Sequence, residues 1–335
     1  MMSDQQPERR YMRIRATLLA AGIALAGLLA PDTGLAQYPS RPVKMVVPVS
    51  PGGAPDTLAR VIGERLSPLL GQPVVVENRA GANGNIAMDL VAKSAPDGYT
   101  IMMGFDSMIV INPHMYRKMP VDTLKDLAPV ATVAQSPNFI LVAHPSLPVK
   151  NFQEFVEYAK TANPPIAYSS GGNGSQHHMM MEMLKLRAGI NLVHVPYKGG
   201  SPATIATIAG EVSATFSGTP DAPQHIRAGK LRGLAVSGRN RSPLLPELPT
   251  VGEFYPGYQI STWLGLFSPA GVPDPVIATL RANINRVLAM PEVKERFTAS
   301  GLEPYVTTLP EFAALIRSDH EKYGELVKQI GVKAD

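Results

Sequence analysis

Three glycine turns carry the residues whose types and spacing could do chemistry. The first is Ser50-Pro51-Gly52-Gly53-Ala54-Pro55-Asp56-Thr57. The second is Ser169-Ser170-Gly171-Gly172-Asn173-Gly174-Ser175-Gln176-His177, and the third is Pro196-Tyr197-Lys198-Gly199-Gly200-Ser201-Pro202. Each follows a short apolar run and precedes a helical pattern. The start of a helix has backbone N–H groups with no partner and a dipole that favours negative charge, and glycine lets the backbone approach a ligand closely. Such turns can bind a carboxylate through N–H and Ser or Thr hydroxyl groups without any arginine. The plainer alternative is that they only join strands to helices. Two long turns in separate halves of the chain favour binding. Phosphate is the weaker candidate, because G-x-x-x-x-G-K-[ST] and a G-x-G-x-x-G opening a βαβ unit are both missing, and Lys198-Gly199-Gly200-Ser201 has the wrong order for a P-loop.

Nucleophilic chemistry has one candidate, Ser175 with His177 or His178 beside it and Asp221 downstream. A nucleophile elbow needs G-x-S-x-G, which Gly172-Asn173-Gly174-Ser175-Gln176 is not. Adjacent helical residues point about 100° apart, so at most one of the two histidines faces the turn. His177, His178, Glu182 and His194 have no recognised metal-ligand spacing, and the chain has no cysteine. No catalytic residue, metal or cofactor is expected. Three carboxylates compete between capping a helix and meeting an amine or hydroxyl of a ligand: Asp56, Asp106 and Asp221. Phe105, beside Asp106 and Ser107, either stacks on a ring or closes a pocket wall. The candidate ligand-binding set is therefore Ser50, Pro51, Gly52, Gly53, Asp56 and Thr57 from the first turn, with Phe105, Asp106 and Ser107. The second turn adds Ser169, Ser170, Gly171, Gly172, Asn173, Gly174, Ser175 and His177; the third adds Tyr197, Lys198 and Gly199, with Asp221 after them.

The elements around these turns alternate. Strands are expected at Lys44–Val49, Val74–Glu77, Thr100–Gly104, Phe139–Ala143, Ile166–Ser169, Leu192–Pro196, Ala214–Ser217, Leu234–Ser237 and Gly265–Ser268. Leu58, Val61, Ile62 and Leu66 make a helical stripe over Thr57–Leu69. Further helices are expected at Ile86–Lys93, Phe152–Lys160, His177–Ala188, Ala203–Ala209 and Ala222–Ala228. Three more, Pro275–Met290, Pro291–Ser300 and Pro310–Gly324, each open near a proline. This alternation predicts an α/β protein with mainly parallel sheets flanked by helices. Strand, glycine turn and helix recur at Val43–Leu69 and Ile166–Ala188, which points to two similar domains. Pro129–Val142 and Pro256–Pro269 read as extended connections between them. Domain 1 is then residues 37–135 with 256–335, and domain 2 is residues 136–255.

Composition agrees with a folded, exported protein. The chain has 335 residues, 45% of them hydrophobic and 17% charged, and a formal net charge of +4. That excludes a disordered chain, and a mild unclustered positive charge does not indicate nucleic acid. Arg9, Arg10, Arg13 and Arg15, then apolar Ala16–Ala30, then Gly34-Leu35-Ala36, read as a signal peptide (residues 1–36) cleaved after Ala36. The apolar stretch is short for a membrane anchor. Arg9-Arg10 leaves twin-arginine export open beside the general route.

Further along the chain these segments resemble a known family, the periplasmic solute receptors of tripartite tricarboxylate transporters (the Bug, or Bordetella uptake gene, type). The similarity rests on Tyr38-Pro39-Ser40-Arg41-Pro42, Pro51-Gly52-Gly53-x-x-Asp56, Val76-Glu77-Asn78-Arg79-x-Gly81-Ala82-x-Gly84 and Pro96-Asp97-Gly98-Tyr99-Thr100. Val195-Pro196-Tyr197-Lys198-Gly199-Gly200-Ser201-Pro202 and Pro269-Ala270-Gly271-x-Pro273 extend it. The resemblance implies a two-domain clamshell that closes on a small organic acid (a mono-, di- or tricarboxylate), held by Ser50–Thr57 and Ser169–His177 with Pro196–Ser201 on the same cleft. It also implies membrane transporter subunits as partners, a monomer, no nucleic acid, no enzymatic activity and a periplasmic location. Phe105-Asp106 departs from the small Ser/Thr-rich turn of that family, which leaves room for an aromatic, hydroxylated or amino-bearing acid. A secreted serine hydrolase using Ser175 and His177, and a receptor that signals to a sensor protein, are the competing readings.

Overall fold

The computed structural model describes residues 38–136, 138–218, 222–299 and 302–331. The signal peptide and Asp221, with Thr219-Pro220 before it, lie outside the described residues. The chain divides into two compact units, residues 1–40 and 41–335. Of the first, only Tyr38, Pro39 and Ser40 are described, and every element below belongs to the second.

Two sheets organise that unit. The first contains β1 (Val43–Val47), β2 (Val74–Asn78), β3 (Thr100–Phe105), β4 (Leu127–Ser136), β10 (Thr262–Pro269) and β11 (Glu303–Pro304), in the order β11-β4-β10-β3-β1-β2. The second contains β5 (Ile140–Ala143), β6 (Ile166–Ser170), β7 (Leu192–Pro196), β8 (Ala214–Ser217) and β9 (Arg232–Val236), in the order β7-β6-β8-β5-β9. Around them run α1 (Ala54–Leu70), α2 (Asn85–Ala92), α3 (Asn112–Met115), α4 (Phe152–Thr161), α5 (Gln176–Ala188), α6 (Gly200–Ile208) and α7 (Ala222–Arg227). The C-terminal third adds α8 (Asp274–Ala289), α9 (Pro291–Ala299) and α10 (Leu309–Ile330).

The α/β class and the two helix-flanked sheets agree with the sequence reading. Each sheet is mixed in detail: most strands share one direction, and β10 and β11 in the first sheet and β5 in the second run against it. β1 runs parallel to β2 and β3, and β6 parallel to β7 and β8. β10 is antiparallel to β3 and β4, and β5 is antiparallel to β8 and β9. A parallel neighbour needs a crossover, usually a helix. β10 instead arrives from the second sheet, so no crossover fixes its direction. The segments read as extended connections are largely strand. β4 fills 127–136, with Pro129 at a register shift where its missing N–H is tolerated. β10 begins at Thr262, earlier than expected. The chain passes between the sheets twice, after β4 and between β9 and β10. Tyr258 and Ile260 still pack into the second sheet's core, so the second passage comes after Ile260.

Each strand-to-helix unit follows local chemistry. Val43, Met45, Val46 and Val47 are fully buried, as a strand covered on both faces requires. In α1, Leu58, Ile62 and Leu66 repeat every four residues and are buried; Gly71, at φ 69°, ends the helix. α10 opens with a capping box in which Thr308 and Glu311 bond each other's backbone N–H. Its buried Phe312 meets Trp263 edge-on, with centroids 5.4 Å apart, and lies 5.5 Å from Phe267. Gly265 on β10 is what lets that helix lie so close. A Cβ there would fall on the Phe312 ring and 3.1 Å from the Ala131 carbonyl. Gly265→Ala is therefore expected to destabilise the protein by about 1–3 kcal/mol, the usual cost of overpacking a closed core. Urea denaturation checks this, and an unchanged midpoint would contradict the packing account.

Candidate ligand-binding site

The three glycine turns end at one cavity. It has two adjoining chambers, of about 120 and 240 Å³, which share Val49, Asn83, Phe105, Gly171 and Gly199 as common wall. The smaller chamber receives the starts of three helices: Ser50, Gly53 and Pro55 at α1; Ser175, Gln176 and His177 at α5; and Gly200, Ser201 and Pro202 at α6. The rest of its wall comes from the segments where the chain passes between sheets, Ser136, Phe139, Thr262 and Leu264, and from Leu302. The larger chamber is lined by Gly81 and Ala82, by Tyr116, by Gly172 and Asn173, and by Pro196, Tyr197 and Lys198.

Several residues singled out in the sequence hold the turns in place and do not face the cavity. The Asp56 carboxylate accepts from Gly52 N (2.9 Å), Asn78 Nδ2 (2.8 Å) and Arg60 Nε (3.1 Å). Burial works to raise its pKa, and the bonds from Arg60, Gly52 and Asn78 outweigh burial and keep the carboxyl below its ordinary value. Asp56 is thus a pin for the first turn. Pro51 and Gly52 are exposed, and Thr57 spends its N–H on the Gly53 carbonyl; none of the three is on the wall. Ser169 Oγ donates to the Ala203 carbonyl (2.8 Å), tying β6 to α6. Ser170 Oγ lies 2.6 Å from His194 Nε2 and accepts from Gly172 N (3.1 Å). Gly174, at φ 76°, gives its N–H to His178 Nδ1. Gly172 and Gly199, at φ 123° and 120°, hold backbone shapes that side chains disfavour, and both are on the wall.

Asp106 is not on the wall either. It is 1% exposed, and its carboxylate accepts from Gln176 Nε2 (2.6 Å), Thr262 Oγ1 (2.6 Å) and Ser107 N (2.7 Å). The site thus gains Ser107 and Phe105 from this pair of segments and loses Asp106 to a supporting role.

The proposed hydrolase pair does not assemble. Ser175 Oγ caps α5 by accepting from His178 N (3.3 Å). His177 Nδ1 is buried and has no hydrogen-bond partner. Its ring meets Phe139 edge-on at 5.2 Å, and burial lowers its pKa to about 4, so the imidazole is neutral. His178 stacks on His194 at 3.9 Å, and burial lowers its pKa to about 3.

The sequence reading missed Asn83, Gln176, Thr204, Phe139, Thr262 and Leu264 on this wall. Asn83 had a usable signal in its flanking glycines. Gly81, Ala82, Asn83 and Gly84 have φ of 131°, 47°, 45° and 90°. That unusual run turns Asn83 into both chambers, while its Nδ2 donates to Asn112 Oδ1 (2.7 Å). The apolar wall residues had no such signal, because strand patterning does not say which core residues border a cleft.

Asp106 makes stability depend on pH. Burial raises its pKa to about 7, the nearby Asp319 charge adds to this, and the bonds from Thr262, Gln176 and Ser107 act against it. The folded state therefore holds the proton more tightly than the unfolded chain. The stability this contributes is fully present below about pH 3.8 and is lost as pH rises to about 7. Asp106→Asn removes the titration. Relative to the variant, the wild type is expected to lose on the order of 1–3 kcal/mol between pH 5 and pH 8. Melting curves of both proteins at the two pH values check this, and parallel changes would contradict it.

Comparison with known proteins fits this arrangement. Residues 58–332 match the family model "Tripartite tricarboxylate transporter family receptor". The chain is 36% identical to protein BugT of Bordetella pertussis over 316 residues, which is 93% of this chain and 95% of BugT. The structure of the periplasmic binding protein BugD superposes with a TM-score of 0.83 at 33% identity, covering 88% of this chain and 99% of BugD. R. palustris Rpa4515, solved with adipate, gives 0.83 at 32% identity, with 88% and 99% covered. The chain belongs to the tripartite tricarboxylate transporter receptor family, among the Bug-type solute-binding proteins.

Proposed function

We propose that this protein is an exported periplasmic receptor that captures a small carboxylated organic solute and passes it to the membrane subunits of a tripartite tricarboxylate transporter. One observation carries the reading. Three helix starts from two separate sheets meet at a single cavity, where, among the described residues, no arginine, aspartate, glutamate or lysine lines the smaller chamber. Helix starts, with their unpartnered N–H groups and favourable dipole, suit a carboxylate, whose charge they can share without a counter-ion. The adipate in Rpa4515 supports the same class of solute. Ser50 and Gly171 are the backbone contacts we assign to the solute; Gly53, Gly172 and Gly199, whose N–H groups bond Ser50, Ser170 and Gly171, shape the wall beside them.

Closure follows from the same layout. The two lobes follow the boundaries read from the sequence, except that Tyr258 and Ile260 pack with the second sheet: residues 37–135 with 261–335, and residues 136–260, with the two passages between sheets as hinges. Two hydrogen bonds already span the cleft beside the cavity: Ser50 Oγ to the Lys198 carbonyl (3.1 Å) and Tyr116 Oη to the Asn173 carbonyl (3.1 Å). With Ser175 committed to a helix cap, the site binds and does not turn over its solute. The receptor works as a monomer.

A thermal-shift series of the mature protein with mono-, di- and tricarboxylates tests this. A true solute at a hundred times its Kd is expected to stabilise the protein by about 2.7 kcal/mol. Gly172→Pro forbids the φ of 123° and deletes the N–H that bonds Ser170. It is expected to abolish the shift with circular dichroism little changed. No acid shifting the melting point, or ester turnover lost in Ser175→Ala, would defeat the proposal.

A further inference from the structure

Asp106 lies one hydrogen bond behind the wall of the smaller chamber. The groups that donate to its carboxylate, Ser107 N (2.7 Å), Thr262 Oγ1 (2.6 Å) and Gln176 Nε2 (2.6 Å), all belong to residues that line that chamber. All three donors are neutral. The two oxygens differ: Oδ1 accepts from Ser107 and Thr262, and Oδ2 accepts from Gln176 alone. Each neighbouring element presents its own groups. From α10 come the Asp319 charge, which Trp263 Nε1 bonds (2.7 Å), and Tyr323, which burial keeps protonated. Lys322 sits over the Tyr323 ring, 5.0 Å from its centroid. From α5 comes Gln176, with His177 next to it, whose pKa burial lowers to about 4. β10 and the segment after β3 present Thr262 and Ser107, which do not titrate.

An added proton has a place to go. It belongs on Oδ2, the oxygen with one bond, where it meets Gln176. The Gln176 amide can turn end for end and present Oε1, which is otherwise buried with no partner, to the same carboxylate oxygen. The turn exchanges one unpartnered amide atom for the other. The separation of 2.6 Å is short for N–H···O and ordinary for O–H···O. The Tyr323 hydroxyl, 3.2 Å from the same end of the amide, can donate to that oxygen as well. Protonated Asp106 thus keeps its ties to β10 and α5. The charge behind the wall changes and the wall stays assembled.

We propose that capture of an anionic solute is coupled to proton uptake by Asp106, so that the receptor holds its solute more tightly as pH falls. The inference rests on the receptor reading above and adds a proton to it. A carboxylate in the smaller chamber puts a second negative charge within roughly 8–10 Å of Asp106. Like charges at that spacing inside a protein oppose each other by roughly ten- to thirtyfold in an equilibrium constant. Bound solute therefore raises the Asp106 pKa above its solute-free value, which burial already sets at about 7. By linkage, the proton strengthens solute binding by the same factor. The proton comes from solvent and rests on Oδ2, and no bond of the solute changes. Below the solute-free pKa the group already carries its proton and affinity is highest. Above it, each capture must draw a proton or accept the repulsion, and affinity falls.

Isothermal titration of the mature protein tests the inference, with adipate, L-malate and benzoate as first probes and the rest of the acid series behind them. An acid that binds is expected to do so about fivefold or more tightly at about pH 6.5 than at about pH 8.5. Titrations at about pH 7.5 in phosphate and in Tris, which differ in ionisation enthalpy, count protons. Uptake of roughly half a proton per solute is expected. Asp106→Asn should bind with no uptake and a flat pH profile. A flat profile or proton release in the wild type would overturn the inference and leave the receptor standing. So would uptake that persists in a folded Asp106→Asn, because His177 or another group would then carry the proton. If Asp106→Asn does not melt cooperatively, His177→Gln takes its place, and loss of the uptake there overturns the inference. If no acid of the series binds at any of these pH values, the receptor reading and the inference fall together.

Discussion

A buried carboxylate ties the molecule together where the two sheets meet. Asp106 follows β3, accepts a hydrogen bond from the hydroxyl of Thr262 on β10, and accepts another from the amide of Gln176 at the start of α5, beside the second sheet. Through Gln176 it is also joined to Tyr323 on α10. A carboxyl with 1% exposure is stable only if its oxygens are satisfied, so these three elements are held at fixed spacing from one another. The start of α5 and the first residue of β10 both border the solute cavity. The constraint that solves a burial problem therefore also sets the width of the site.

Capture through the backbone explains why family membership is easy to read and the solute is not. The groups proposed to meet a carboxylate are N–H groups of turns and helix starts, and any sequence that can make the turn supplies them. What differs between receptors is then the side chains on the remaining wall. In this chain that wall is Phe139, Thr262, Leu264 and Leu302, from segments whose main task is to link or support two sheets.

The legible and illegible parts of the sequence divide along physical lines. The strands beside β1, β3 and β6 and the helices α1, α4 and α8 could be read because each buries one periodic face and ends at a glycine or proline. The antiparallel course of β4 and β10 could not. Direction depends on where a strand arrives from, and Pro129 argued against a strand in a place where a bulge accommodates it. Among site residues, the glycines on the wall were readable from the need for close approach and left-handed backbone. Asp56, Asp106, Ser169 and Ser170 could not be placed for one reason: a polar residue in a turn can face the ligand or the turn itself, and local sequence is the same in both cases.

That ambiguity has a physical resolution in this fold. A glycine turn is entropically loose, and a loose turn would lose much of its binding energy in becoming ordered on each capture. Asp56 holding Gly52, Ser170 holding Gly172 and His178 holding Gly174 fix the loops before a solute arrives. The polar side chains closest in sequence to the binding glycines are thus drawn away from the cavity by the need to stiffen it. Asn83, by contrast, reaches the wall from a separate glycine-flanked turn.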